Sequence, residues 1–206
     1  MPVTISGSGT ITGIATGGLP DGSIAAGDLA SSLDLTGKTV TLPAGTGGKI
    51  LQVVQTQFTD VFSITSGEDT WVTVTGFSAA ITPSASANNI LVMCQVGRAG
   101  ATAAADRQTN FRLTKDGTAY AVPPAAGSRQ LASFSVLSVD GAYNNGGGVV
   151  YMDTAGGTSE ITYQVQMMNQ AGGETTRINT AGSDANSADS PWARTVSSIT
   201  LMEIAA

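Results

Sequence analysis

The chain has 206 residues, a net charge of −6 and a pI near 4.4, and only 12% of its residues are charged. That acidic balance argues against a nucleic-acid partner, whose phosphates select basic faces, and against electrostatic adsorption to anionic membranes. The absence of histidine removes Ser-His-Asp and Cys-His catalysis, and a single cysteine, Cys94, leaves neither an intrachain disulfide nor a structural zinc site.

The first 57 residues contain no aromatic side chain, and up to Gly48 only Asp21, Asp28, Asp34 and Lys38 are charged. Such a segment lacks the apolar bulk to offset roughly 1–2 kcal/mol of backbone entropy per residue. Yet Val3, Ile5, Ile11, Ile14, Ile24, Leu29, Leu33, Leu35, Val40 and Leu42 recur through it. Apolar residues that cannot close on themselves predict packing against other copies of the same chain. The stretch MPVTISGSG has neither a basic region nor an apolar run, so no secretory signal is expected, and no window approaches the ~18 apolar residues of a membrane span. Residues 1–18 are Gly/Ser/Thr-rich. Residues 19–36 admit a short helix, capped by Asp21 or Ser23, with Ile24, Leu29 and Leu33 as its stripe, or a helical turn capped by Asp28. KTVTLP predicts a short strand within 37–48, and the glycines Gly45, Gly47 and Gly48 mark a domain boundary. The expected organisation is a thin N-terminal shaft, residues 1–48, and a C-terminal domain, residues 49–206.

From Lys49 a strand rhythm sets in: ILQVVQTQF, DVFSITS, TWVTVTG, AAITP, NILVMCQV, NFRLTKDG, ASFSVLSVD, VVYMDT, EITYQVQMM, TTRINT and SSITLMEI. Turn sequences rich in Gly, Asn, Asp and Pro separate them, and Asp116-Gly117 is a hairpin signal. Threonine's β-branch suits a pleated surface. The expected fold is all-β, an antiparallel β-sandwich of jelly-roll type. Cys94 lies in an apolar strand pattern and is expected to be a buried small hydrophobe. Gln52, Gln55 and Gln57 are expected on one side of the first strand, with Gln164 and Gln166 on a later one. These amide faces are either solvated or a polar interface between copies.

Carboxylates carry the remaining catalytic option. A glycan-cleaving pair needs two Asp/Glu side chains roughly 5–9.5 Å apart and one raised pKa. Here Glu68, Asp69, Asp140, Asp153, Glu160, Glu174, Asp184 and Asp189 mostly fall in solvated turns, so the expectation is no enzyme and no cofactor. The loop SGSDANSADS places Asp184, Asn186 and Asp189 together, which suits either a calcium site or ordinary turn chemistry. The expectation there is no metal.

The aromatic residues point further. Trp71 and Phe77 belong to strand patterns and are expected in the core. Tyr143 lies beside Asn144 and Asn145 in DGAYNNGGG, and Trp192 closes a long polar loop carrying Asp184, Asn186 and Asp189. A ring among amides and carboxylates suits sugar recognition, stacking on a pyranose while its neighbours bind hydroxyls. The alternative for Trp192 is a hydrophobic anchor for its own loop. Arg98, Arg107, Arg112, Arg129, Arg177 and Arg194 supply most of the positive charge, and several are expected to pair with loop carboxylates across subunits.

The run LPDGSIAAGDLASSLDLTGKTVTLPAG, Leu19 to Gly45, resembles shaft segments of tailed-bacteriophage tail fibres. ITPSASANNILVMCQVG, FRLTKDGTAYAV and the closing SSITLMEIAA resemble a β-rich C-terminal domain found in many such fibres. The resemblance implies a homotrimer attached to the virion tail or baseplate through its N-terminal segment, with a C-terminal knob that binds a host-surface receptor, most simply a glycan. Connectors or decoration proteins that bind only other virion proteins, and glycan depolymerases, are the alternatives within the same resemblance.

Overall fold

The computed structural model describes residues 50–65, 68–102, 107–139, 141–170 and 172–206. All of them fall within one compact unit, Gly48–Ala206. The expected shaft, helix, KTVTLP strand and glycine boundary lie outside the described residues.

Twelve strands are described: β1 Ile50–Phe58, β2 Phe62–Ile64, β3 Val72–Ile81, β4 Asn89–Val96, β5 Ala99–Ala101, β6 Arg107–Lys115, β7 Thr118–Tyr120, β8 Phe134–Ser138, β9 Gly147–Thr154, β10 Ile161–Asn169, β11 Thr176–Ile178 and β12 Ser197–Ile204. Among the described residues there is no α-helix, and a single 3-10 turn spans Ser190–Trp192. Strand formation follows the side-chain period of two. In β4, Ile90, Val92, Cys94 and Val96 are buried, and in β10 so are Ile161, Tyr163, Val165 and Met167, while the residues between them are more exposed.

One sheet runs β1-β12-β4-β9, and the other runs β3-β10-β6, with β7 and β8 both pairing the far side of β6. Every pairing is antiparallel. Apart from the β6–β7–β8 edge, successive long strands alternate between the sheets, which is the connectivity of a jelly roll. The inward faces share one core, with Phe58 stacked on Phe77 at 5.1 Å and Phe111 on Phe134 at 5.0 Å between ring centroids. The Asp116-Gly117 signal is realised: both residues take positive φ, 49° and 81°, and the turn joins β6 to β7.

The short strands β2, β5 and β11 form a third sheet, in the order β2-β11-β5. Each lies in a connection between the two large sheets, and all three connections leave from the same end. At that end Phe58 pairs Ser197, and Ser198 pairs Gln95 in one sheet, while Asn169 pairs Thr109 and Arg107 pairs Ser138 in the other. The opposite end holds Ile50, Ile204, Asn89 and Thr154. The sandwich therefore has two distinct ends, separated by the length of β1, about 30 Å for nine extended residues.

Three expectations need correction. The sequence pattern breaks TWVTVTG and AAITP into two strands at Gly76, but β3 runs through it. Gly76 has φ 85° and forms a bulge opposite β10, where the register slips between Gln164 and Gln166. Gln52 does not share a face with Gln55 and Gln57. The two-residue strand period sets it on the opposite side, facing inward with Val54 and Phe58, where its amide donates to Glu203 Oε2 at 2.6 Å. Trp71 is half-buried and outside the core. Its ring lies under the guanidinium of Arg112, 4.3 Å away, and its indole N–H donates to Gln130 at 3.3 Å. Phe77 and Cys94 are core residues as expected. Burial pushes the Cys94 thiol up to about 12, so almost no reactive thiolate exists at neutral pH.

Candidate functional site

The candidate loops share the end of the sandwich that carries the third sheet. Loop 139–146 joins β8 to β9, and loop 179–196 joins β11 to β12. What brings them together is β5. Its sequence, Ala-Gly-Ala, is fully buried and small for a reason. A Cβ on Gly100 would stand 2.3 Å from the Asn144 side chain, and a Cβ on Gly182 would stand 1.9 Å from the Ala101 carbonyl oxygen. Both loops lie directly against this strand, and bulk on either side would push them away.

Arg98, just before β5, ties the two loops. It is buried, 8% exposed, and its guanidinium donates to the Ala193 carbonyl at 3.1 Å and to the Ala142 carbonyl. Burial lowers its pKa, and it remains a cation at neutral pH. The backbone N–H of Ser183 also donates to the Gly141 carbonyl at 3.4 Å. Arg98 thus serves loop carbonyls and not a carboxylate. Among the described residues, Arg107 pairs with Glu174 at 3.2 Å and Arg194 with Asp184 at 3.6 Å.

Within loop 179–196, Asp184, Asn186, Ser187, Trp192 and Arg194 line a polar groove of about 440 Å³. Asp184 holds the left-handed conformation, φ 46°, and accepts a hydrogen bond from Thr180 Oγ1 at 2.5 Å. Asp189 lies outside the groove lining and accepts from Ser187 Oγ at 3.0 Å. Pro191 and Trp192 sit in the 3-10 turn, where the Trp192 N–H donates to the Asp189 carbonyl at 3.1 Å. The indole is half-buried, so one part anchors the loop while the rest forms a wall of the groove. Among the described residues no group of three or more His, Cys, Asp and Glu side chains could hold a metal ion. The carboxylates of Asp184 and Asp189 are engaged in separate turn hydrogen bonds.

In loop 139–146, Tyr143 is 61% exposed and Asn145 is exposed. Asn144 is different: half-buried, bridged to Ser138, it accepts a hydrogen bond from the Ser138 hydroxyl. Its side chain positions the loop, while Tyr143 and Asn145 face solvent. The groove therefore gathers three residues singled out by sequence, Asp184, Asn186 and Trp192. It adds two that sequence reading did not assign to it, Ser187 and Arg194. Arg98 was legible only as a charge; the small residues that flank it, Gly97, Ala99 and Gly100, were the available sign of a tight, buried setting.

Elsewhere two carboxylates are buried. Asp153 accepts from the Tyr163 hydroxyl and pairs with Lys115 at 2.7 Å. Burial works to raise its pKa, but these donors outweigh it and the net shift is downward. Glu203 is fully buried at the opposite end of the sandwich. Burial pushes its pKa upward too, and hydrogen bonds from Asn88, Gln52 and Ser84 overcome this and lower it to about 2.

No protein-family model matches the chain, and no curated protein matches it. Among solved structures it is similar to the infectious bursal disease virus VP2 subviral particle, at 12% identity and a TM-score of 0.36. The match covers 86% of this chain and 46% of that one, so the chain spans under half the length of that protein.

Proposed function

We propose that this chain is a structural virion protein of a tailed phage: a homotrimeric tail fibre whose residues 1–48 attach to the tail or baseplate and whose knob, residues 49–206, binds a host-surface glycan. One observation carries the reading. The chain enters the sandwich at Ile50, at one end, and the two candidate loops stand at the other, about 30 Å away. An attached knob needs that polarity, with the tether behind and the contact surface in front. The groove supports the glycan. It offers a carboxylate, an amide, a hydroxyl, a guanidinium and one side of an indole within a single loop, and such donors, acceptors and ring are what a sugar's hydroxyls and apolar face require. Three copies would gain affinity by multivalency.

A binding role without catalysis fits the carboxylates. A glycoside-cleaving acid needs a raised pKa, whereas the buried Asp153 and Glu203 are both held as carboxylates by their donors. Adsorption of the purified full chain to host cells, with and without competing host polysaccharide, tests the proposal. Saturable adsorption that free polysaccharide inhibits is the expected result. Absence of adsorption by a folded trimer favours a connector that binds only virion proteins, and release of reducing ends favours a depolymerase.

A further inference from the structure

We propose that the outer face of the sheet β1-β12-β4-β9 is the surface on which copies of this chain meet. This rests on the homotrimer reading and names the face that makes the trimer. The register stacks the outward side chains in rows. Val53, Met202, Leu91 and Met152 form one row across all four strands; Gln55, Thr200, Met93 and Val150 form the next. Leu51, Val53, Val150 and Met152 are 48%, 55%, 66% and 50% exposed. A face of four strands and eight residues measures roughly 19 by 26 Å, about 500 Å² in projection. Protruding side chains raise its accessible area towards the roughly 800 Å² per partner of a stable interface. A groove of 390 Å³ runs along it beside Gly148, between Met93, Gln95, Val150 and Thr200, and an aliphatic side chain of a neighbouring copy can enter it.

The other sheet shows what a solvated outer face of this molecule looks like. There Arg112, Gln166, Thr73, Asn110 and Ser135 bond one another across strands, with Trp71 beneath Arg112. The face of β1-β12-β4-β9 is more apolar: Gln55 bonds Thr200 across strands at 2.8 Å, but Leu51, Val53, Leu91, Met93, Val150, Met152 and Met202 make up the rest of its rows. Among the described strands, no charged side chain stands on it, because its two carboxylates, Asp153 and Glu203, turn inward.

The occupant follows from charge and from the chain itself. Copies carrying −6 each repel one another, which favours contact at a face free of like charges. This face meets that condition, and its rim of Gln55, Gln57, Gln95 and Ser198 offers amides and a hydroxyl that can both donate and accept towards an identical rim. It also begins at Ile50, continuous with the 49 residues whose apolar side chains already call for other copies.

The test uses the full chain, light scattering and mild peroxide, with methionine oxidation read by peptide mass spectrometry. Met93, Met152 and Met202 lie on the face, and the buried Met167 and Met168 serve as internal controls. The expected result is a trimer in which Met152 and Met202 oxidise at least about ten-fold more slowly than in the urea-unfolded chain. Val150→Asp, on an exposed edge-strand position, should abolish that protection while the core methionines stay protected. A trimer whose Met152 and Met202 oxidise as fast as in the unfolded chain overturns the face and leaves the trimer standing. A monomer overturns both. A monomer with protected face methionines assigns the face to the chain's own N-terminal residues, and protection that appears only on adding tail particles assigns it to another virion protein; either overturns the proposal.

Discussion

Asn88 and Glu203 meet inside the sandwich at the end where β1 begins, and the Asn88 amide donates to Glu203 Oε1 at 2.6 Å. The same oxygen accepts from the backbone N–H and the hydroxyl of Ser84, each at 2.7 Å, and Gln52 holds the other oxygen. Asn88 Oδ1 also accepts from the Ala206 backbone N–H at 3.3 Å. A buried carboxylate thereby fastens the start of β1, the β3–β4 turn and the C-terminus to one point. A buried charge is tolerated because its acceptor sites are filled.

That cluster predicts an acid limit. The Glu203 pKa falls from 4.5 in the unfolded chain to about 2 in the folded one. A depressed carboxylate contributes stability that is fully present above the unfolded value and lost as pH falls towards the folded value. Stability should therefore be level with respect to Glu203 above about pH 4.5 and decline between 4.5 and 2. Asp153, lowered from 3.8, adds a loss of the same sign below that value. Denaturant midpoints measured from pH 6 to pH 2 check this, and Glu203→Gln should flatten the upper part of the decline. Asn88→Ala should cost about 1–3 kcal/mol at neutral pH by stripping the carboxylate of a donor.

Arg98 predicts a different failure, one confined to the loops. Arg98→Ala leaves the Ala142 and Ala193 carbonyls without their shared donor, and the loss of charge-assisted hydrogen bonds should cost about 1.5–3 kcal/mol. Arg98→Lys should recover little of it, since one ammonium cannot span two carbonyls as the guanidinium fork does. Limited proteolysis should then cut first within 139–146 or 179–196. A cleavage pattern unchanged from the parent would mean the loops do not depend on the bridge.

Much of this fold was legible in sequence, and the reasons differ by element. β10 alternates apolar and polar residues along a half-buried sheet, and β4 and β12 are short apolar-rich runs bounded by turn residues, so all three could be read directly. Asp116-Gly117 announced its turn because two successive positive φ values demand such residues. β5 was invisible: Ala99, Gly100 and Ala101 have no strand propensity, and they are small because Asn144 and Gly182 press on them from elsewhere in the chain. Glu203 carries no signal in sequence beyond being one polar residue in a strand pattern, since its donor Gln52 lies 151 residues away. The groove was half legible. Asp184, Asn186 and Trp192 declared themselves by composition, but the separation of Asn144 from Tyr143 into a loop brace and an exposed ring depends on Ser138 across the bridge.

Tyr143 and Trp192 should respond oppositely to truncation. The Tyr143 ring is 61% exposed, so Tyr143→Ala should change stability by no more than about 0.5 kcal/mol. If the loop contacts the receptor, the same change should weaken adsorption by about 1–3 kcal/mol. Trp192 is half-buried in its 3-10 turn, and Trp192→Ala should lower the melting temperature as well as adsorption. Melting curves and adsorption assays on both variants separate the roles. A Tyr143→Ala protein that adsorbs like the parent removes that loop from the contact surface.

Gly182 offers the most local test of how the groove is placed. An added Cβ there would come within 1.9 Å of the Ala101 carbonyl oxygen and 2.5 Å of its carbon. Both are backbone atoms of a fully buried strand, so the strain cannot be relieved by turning a side chain. Gly182→Ala should force loop 179–196 away from β5, at a cost of about 1–3 kcal/mol. Because the Gly182 carbonyl accepts a hydrogen bond from the Arg177 guanidinium, the shift should also loosen the start of the groove loop. Gly157→Ala is the control: nothing lies within 4 Å of its Cβ position, so it should be neutral or slightly stabilising through the unfolded chain. Denaturant midpoints for the two variants decide the matter. Equal midpoints would show that loop 179–196 is not seated on β5, and the groove between Asp184 and Arg194 would lose its structural support.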